Sequence, residues 1–144
     1  MKSVFSLLFL AVVTTSALAQ DPISIADARK QAINSKVTKV AGRVSVGTEF
    51  RNTSYIQDGT AGIAVFNSTF RLGVKIGDSV VIENATLIEF NASTGVPGSG
   101  LLELSGTDLR FTVVPVERVE PRTKTTTIPL IGEGVEGQLV KVRR

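Results

Sequence analysis

The residue types that carry most enzymatic chemistry are missing from this sequence. It contains no histidine and no cysteine, which removes the imidazole base, the thiolate nucleophile, the Ser-His-Asp triad and the usual zinc ligand sets. Carboxylates remain, at Asp58, Asp78, Glu83, Glu89, Glu103 and Asp108. They stand singly, without the pairing of a glycoside hydrolase or the spacing of a calcium loop, and are expected as solvated strand ends and turns. The sequence therefore points to binding, not catalysis, with no cofactor and no metal; an enzyme would need a metal held by scattered acids.

Bases stack on aromatic rings and phosphates pair with cations, so the rings and cations are the next residues to place. Tyr55, the single tyrosine, and Phe66 flank two short alternating runs. With Ile56, Ile63 and Val65 turned into a core, the two-residue period of a strand turns Thr53, Tyr55, Gln57, Ala64 and Phe66 outward. Tyr55 and Phe66 would then form a stacking platform for single-stranded nucleic acid, with Gln57 beside them. Arg43, Arg51, Arg71 and Lys75 bracket that face as candidate phosphate contacts, Arg51 being the best placed, together with the loop Asn91 to Gly100. A plainer reading competes, in which Phe66 packs with Phe70 under a connector, Tyr55 covers the rim of a barrel and the cations are solvated. The formal charge of +3 includes Lys2, so a chain without its leader carries +2, and electrostatic affinity would be modest and salt-sensitive.

These side chains need elements to hold them. Ser24-Ile25-Ala26-Asp27 is a helix start, with Ser24 as cap, and the spacing predicts a short helix to about Ile33 that Asn34-Ser35 breaks. Lys36 to Val46 is rich in β-branched residues and reads as the first strand. Gly42 in its middle predicts a bulge or bend, as a strand shared by both halves of a small barrel requires. Thr53 to Gln57 and Gly62 to Phe66 read as a hairpin around Asp58-Gly59-Thr60-Ala61. Arg71 to Asp78 reads as a connector and turn, and Ser79 to Phe90 as a long strand. Asn91 to Gly100, with three glycines and Pro97, reads as a loop. Leu101 to Leu104 is the next strand, and Phe111 to Val114 extends it up to Pro115. The expected fold is mainly β, a five-stranded OB-fold-like barrel with a short N-terminal helix. An SH3-like barrel or small sandwich has a similar strand count, and periodicity does not separate them.

Four segments occur in a recognisable order: Ser24-Ile25-Ala26-Asp27-Ala28-Arg29, then Val40-Ala41-Gly42-Arg43-Val44, then Tyr55 to Phe66, then Val74-Lys75-Ile76-Gly77-Asp78-Ser79-Val80. Over roughly Ile23 to Val114 the chain resembles the OB-like domains of bacterial secreted nucleases and related extracellular proteins. The resemblance implies a nucleic-acid-binding barrel that serves as an accessory to a nuclease, phosphatase or other extracellular domain. Gly134 to Val142 looks like the segment that opens a following domain in such proteins; the alternative is a last strand packing on the barrel.

Residues 1–19 read as a secretory signal peptide. Lys2 is followed by an apolar run from Val4 to Val13 and by Ala17-Leu18-Ala19, which supplies small residues at the cleavage positions. That run is shorter than the roughly 18–20 residues that span a bilayer, so no membrane anchor is expected after cleavage. The expected organisation is a signal at 1–19, the OB-like barrel at 20–118 and a C-terminal tail at 119–144, secreted or periplasmic. The expected function is a non-catalytic module binding single-stranded nucleic acid or a related ligand, the alternative being a structural or protein-interaction domain of a secreted bacterial protein; partners would be single-stranded nucleic acid, or a protein or downstream catalytic domain. A fold without cysteine cannot use disulfides, which suits a bacterial exported protein. Four Asn-x-Ser/Thr sequons, at Asn52, Asn67, Asn84 and Asn91, fit a polar exported surface.

Overall fold

A computed structural model describes residues 20–94, 96 and 98–143. The expected signal peptide lies outside the described residues, as do Gly95 and Pro97 of the glycine-rich loop. Among the described residues no helix is long and apolar enough to cross a membrane.

The β-branched run becomes strand β1 (Lys36–Val46), long enough to serve two neighbours. Its first part pairs antiparallel with β4 (Ser79–Phe90), from Lys36 opposite Thr86 to Arg43 opposite Ser79. From Arg43 onward it pairs with β2 (Ser54–Gln57). Gly42 stands at this handover, where an added Cβ would come within 3.1 Å of both the Gln57 carbonyl oxygen and Ile25 Cδ1. The register shift itself lies between Val44 and Val46. The bulge expected at Gly42 is thus displaced to Ser45, and Gly42 serves the close approach of its neighbours.

Strands β2 and β3 (Gly62–Val65) form the expected hairpin, with Gln57 opposite Gly62. β3 runs parallel to β5 (Leu101–Ser105), which is antiparallel to β4. The ring β1-β2-β3-β5-β4 closes back on β1. This closed five-stranded ring is the strand order of an OB-fold, and its parallel β3–β5 pair has no place in a sandwich of antiparallel sheets. β6 (Arg110–Val113) continues β5 along the same edge of β4: Ser105 faces Thr86 and Arg110 faces Glu83. The residues between them loop out at Gly106, whose φ of +117° favours glycine.

Two short helices finish the barrel. Helix α1 (Ile25–Ala28) is a single turn, capped by Ser24 Oγ, which accepts the Asp27 N–H at 3.0 Å. It stops short of Ile33 because Asn34, at φ 68°, donates its N–H to Leu87 O at 2.7 Å and draws the chain onto β4. The connector contains α2 (Ser68–Gly73), capped by Asn67 Oδ1, which accepts the Phe70 N–H at 2.8 Å. This cap turns Phe70 into the core, where it meets Phe111 edge-on at 5.0 Å between ring centres. Ile25, Val40, Ile56, Ile63, Ile82 and Leu87 are other fully buried members of that core.

Beyond β6 the chain passes the Gly77 corner, where Arg118 Nε donates to Asp78 Oδ1 at 2.7 Å and the Val119 N–H to Gly77 O at 3.3 Å. It then forms β7 (Lys124–Thr127) and β8 (Val140–Arg143), a parallel pair in register from Lys124 opposite Val140. Two 3-10 turns, Ile128–Leu130 and Glu133–Val135, lie in the crossover. The tail is therefore a second, two-stranded sheet.

Candidate functional site

The β2–β3 turn is built around Asp58. Its Oδ1 accepts the Thr60 N–H at 2.6 Å, the Thr60 hydroxyl at 2.6 Å and the Ala61 N–H at 2.9 Å, while Oδ2 accepts the Ile25 N–H at 2.9 Å. Burial pushes this carboxyl up, but the bonds from Ile25, Thr60 and Ala61 outweigh it and hold it below the usual carboxylate range. Asp58 thus fastens α1 to the hairpin. It is not the solvated turn residue expected of an isolated acid, and neither Asp78 nor Glu103 is solvated, both being buried.

The alternation along the hairpin is as expected on its inner side, since Ile56, Ile63 and Val65 are all fully buried in the core. The outer side is not open. Ala64, flanked by Tyr55 and Glu103, is 0% exposed, and Gln57 is 6% exposed because the tail lies over it. Gln57 Nε2 donates to Arg122 O at 2.5 Å, and Gln57 Oε1 accepts the Leu139 N–H at 2.9 Å. One side chain therefore holds the residues leading into both β7 and β8. Gly62 and Gly137 meet backbone to backbone with no room for a side chain: a Cβ on Gly137 would lie 2.8 Å from Gly62 C. Arg29 bridges the same seam, donating to Gly62 O at 3.0 Å and to Glu136 Oε2 at 2.8 Å.

Tyr55 is half-buried under this cover. Its ring meets Phe50 edge-on at 6.0 Å, in a slot of about 210 Å³ lined also by Val46, Gly137, Gln138 and Leu139. Beside it on the outer surface is Glu103, opposite Ala64 on β5 and 2% exposed. Burial pushes the Glu103 carboxyl up. Burial, then the charges of Glu103 and Glu136, push up the Tyr55 phenol.

Phe66 lies elsewhere. It is 48% exposed and does not pair with Phe70, as the plainer reading would have it. With Asn52, Asn67, Ser68, Arg71 and Gly106 it lines a groove of about 520 Å³. The structure thus brings Phe66 and Arg71 together and leaves Tyr55 in its own slot. Arg43 is turned to the tail: its Nη1 donates to Gly77 O at 2.7 Å and Val119 O at 3.2 Å. Arg51, next to Asn52, and Lys75 are exposed. In the glycine-rich loop, the Gly100 N–H is spent on Glu89 Oε1 at 2.9 Å. Sequence reasoning missed Asn52, Asn67 and the Gly106 turn as groove residues. An Asn-Ser-Thr-Phe run was the available signal, because Asn is a preferred helix cap.

No protein-family model and no curated protein matches the chain. Among solved structures it is similar to a protein assigned as an aspartyl-tRNA synthetase from Leishmania major Friedlin, with 16% sequence identity and a TM-score of 0.48 over 77% of this chain. The chain spans 24% of the length of that structure.

Proposed function

We propose that the chain is an exported, non-catalytic OB-fold module that binds single-stranded nucleic acid and serves an extracellular nucleic-acid-processing system. The observation that carries this reading is the groove in which the exposed ring of Phe66 stands beside Arg71. A ring with one open face offers a base a stacking surface, and a guanidinium beside it offers the adjoining phosphate a charge-assisted bond. Arg51, exposed and next in sequence to Asn52 of the groove lining, is the candidate second cation. The Glu103 carboxylate, on the covered side of the hairpin, disfavours a phosphate track there and directs the backbone along Arg71 and Arg51.

Fluorescence anisotropy with a labelled oligothymidylate at low salt tests the reading. Phe66→Ala is expected to weaken binding by about fivefold or more, the lower end of what one stacked base contributes. Arg71→Gln should also weaken it. A wild-type titration without binding, or equal affinity in Phe66→Ala, would overturn the proposal.

A second reading, a protein-docking module, draws on the tail, which covers the hairpin face and presents Ile128 and Leu130 at 66% and 68% exposure. It predicts a flat oligonucleotide titration.

A further inference from the structure

We propose that Tyr55 is a second stacking position of the same site and that the β7–β8 ribbon is a latch that keeps it closed. The ligand in this inference rests on the nucleic-acid reading above, whereas the latch is observable without any ligand. Tyr55 faces Ala64 across the hairpin, and Phe66 stands two residues beyond Ala64 with its N–H still bonded to Leu104 O at 2.9 Å. Continued alternation thus puts Phe66 and Tyr55 at diagonal positions on the same outer side, a relation that places Cα atoms roughly 7–8 Å apart, while their rings line separate hollows. Only one of them is open, because Gly137, Gln138 and Leu139 roof the slot of Tyr55.

The roof is held at few points. Among the described residues its polar hold on the barrel consists of the Gln57 amide, bonded at both ends, and Arg29, which pairs with Glu136 at 2.8 Å and with Glu133 at 3.5 Å. Its own sheet has two strands, an arrangement marginal by itself in water, and of those strands only Thr126 is buried. Glu103, near Tyr55 on the same outer side, is 2% exposed and has no hydrogen bond or ion pair to any of the described residues. A strand that stacks on Tyr55 binds only the open form and so shifts the equilibrium toward opening by that preference.

The chain has one tyrosine and no tryptophan, so its intrinsic fluorescence reports on Tyr55 alone. Acrylamide quenching of the full chain should be weak. It should rise toward that of free tyrosinamide in Gln57→Ala, which removes the double bond to the ribbon. It should rise also in Gly137→Ala, which changes only the tail and forces a Cβ against Gly62 from a backbone at φ 71°. In oligothymidylate titrations, Tyr55→Ala should cost the Gln57→Ala protein about fivefold or more, and should cost the wild-type protein less, because there part of the stacking energy is used to open the latch. Unchanged quenching in both variants overturns the latch. Increased quenching with no Tyr55→Ala effect, in a Gln57→Ala protein that still binds through Phe66, overturns the stacking role. Absence of binding by every form refutes the ligand and with it the stacking role, and the quenching data then decide the latch alone.

Discussion

At the scale of single residues, the side chains that look most available for a ligand are largely spent on the fold. Asp58 receives four bonds that join α1 to the hairpin, and Gln57 and Arg43 bond the tail. Glu103 is the opposite case, a carboxyl that is buried without being used. Because burial raises its folded pKa, the folded state holds the proton more tightly than the unfolded chain. Its contribution is therefore fully favourable below the unfolded value, about 4.3, and is lost as pH rises through the folded one. Glu103→Gln should abolish that loss, leaving a protein more stable than wild type at pH 7 and matched to it at about pH 4, where both side chains are neutral. Thermal midpoints measured across this range check the sign; a Gln variant less stable at pH 7 would show that the carboxylate has a stabilising partner.

The elements differ in how openly the sequence declares them. β1 and β4 were legible to the residue because long β-branched runs end at clear turn residues. The hairpin was legible because its alternation and its Asp-Gly turn agree. α2 was not: at six residues it has too little length for a helical period to show, and only the Asn67 cap marks it. The cover on the hairpin was not legible either. Strand parity tells which way Gln57 and Ala64 point, but nothing local tells that backbone 65 and 82 residues further along will bond Gln57. For the same reason Phe66 and Tyr55 read as one platform, while the folded chain separates them into a groove and a roofed slot. α2 links packing to function, since Phe70 anchors it and Arg71 follows directly. Phe70→Ala should cost about 3–5 kcal/mol of stability, the usual range for removing a buried ring, as measured by urea unfolding. It should also weaken oligonucleotide binding by loosening Arg71; stability lost with affinity intact would separate the groove from this anchor.

For the whole molecule, charge decides what kind of nucleic-acid binder this can be. The net charge is small, and three arginines are engaged internally: Arg29 with Glu136, Arg118 with Asp78, and Arg43 with two backbone carbonyls. The remaining cations are not gathered on one face. Arg71 lines the groove and Arg51 precedes its Asn52 in sequence, whereas Arg122, Lys141 and Arg143 belong to the tail. A single strand bound in the groove would therefore displace counterions at about two phosphates. The slope of log affinity against log salt for single strands is about −0.7 per neutralised phosphate, so a value near −1.4 is expected. Stacking on Phe66, which salt does not screen, supplies the rest. Anisotropy titrations of one oligothymidylate at several sodium chloride concentrations measure the slope, and Arg71→Gln should flatten it by about 0.7. A slope steeper than about −3 would require four or more neutralised phosphates, and so would move the binding surface from the groove to one that includes the cations of the tail.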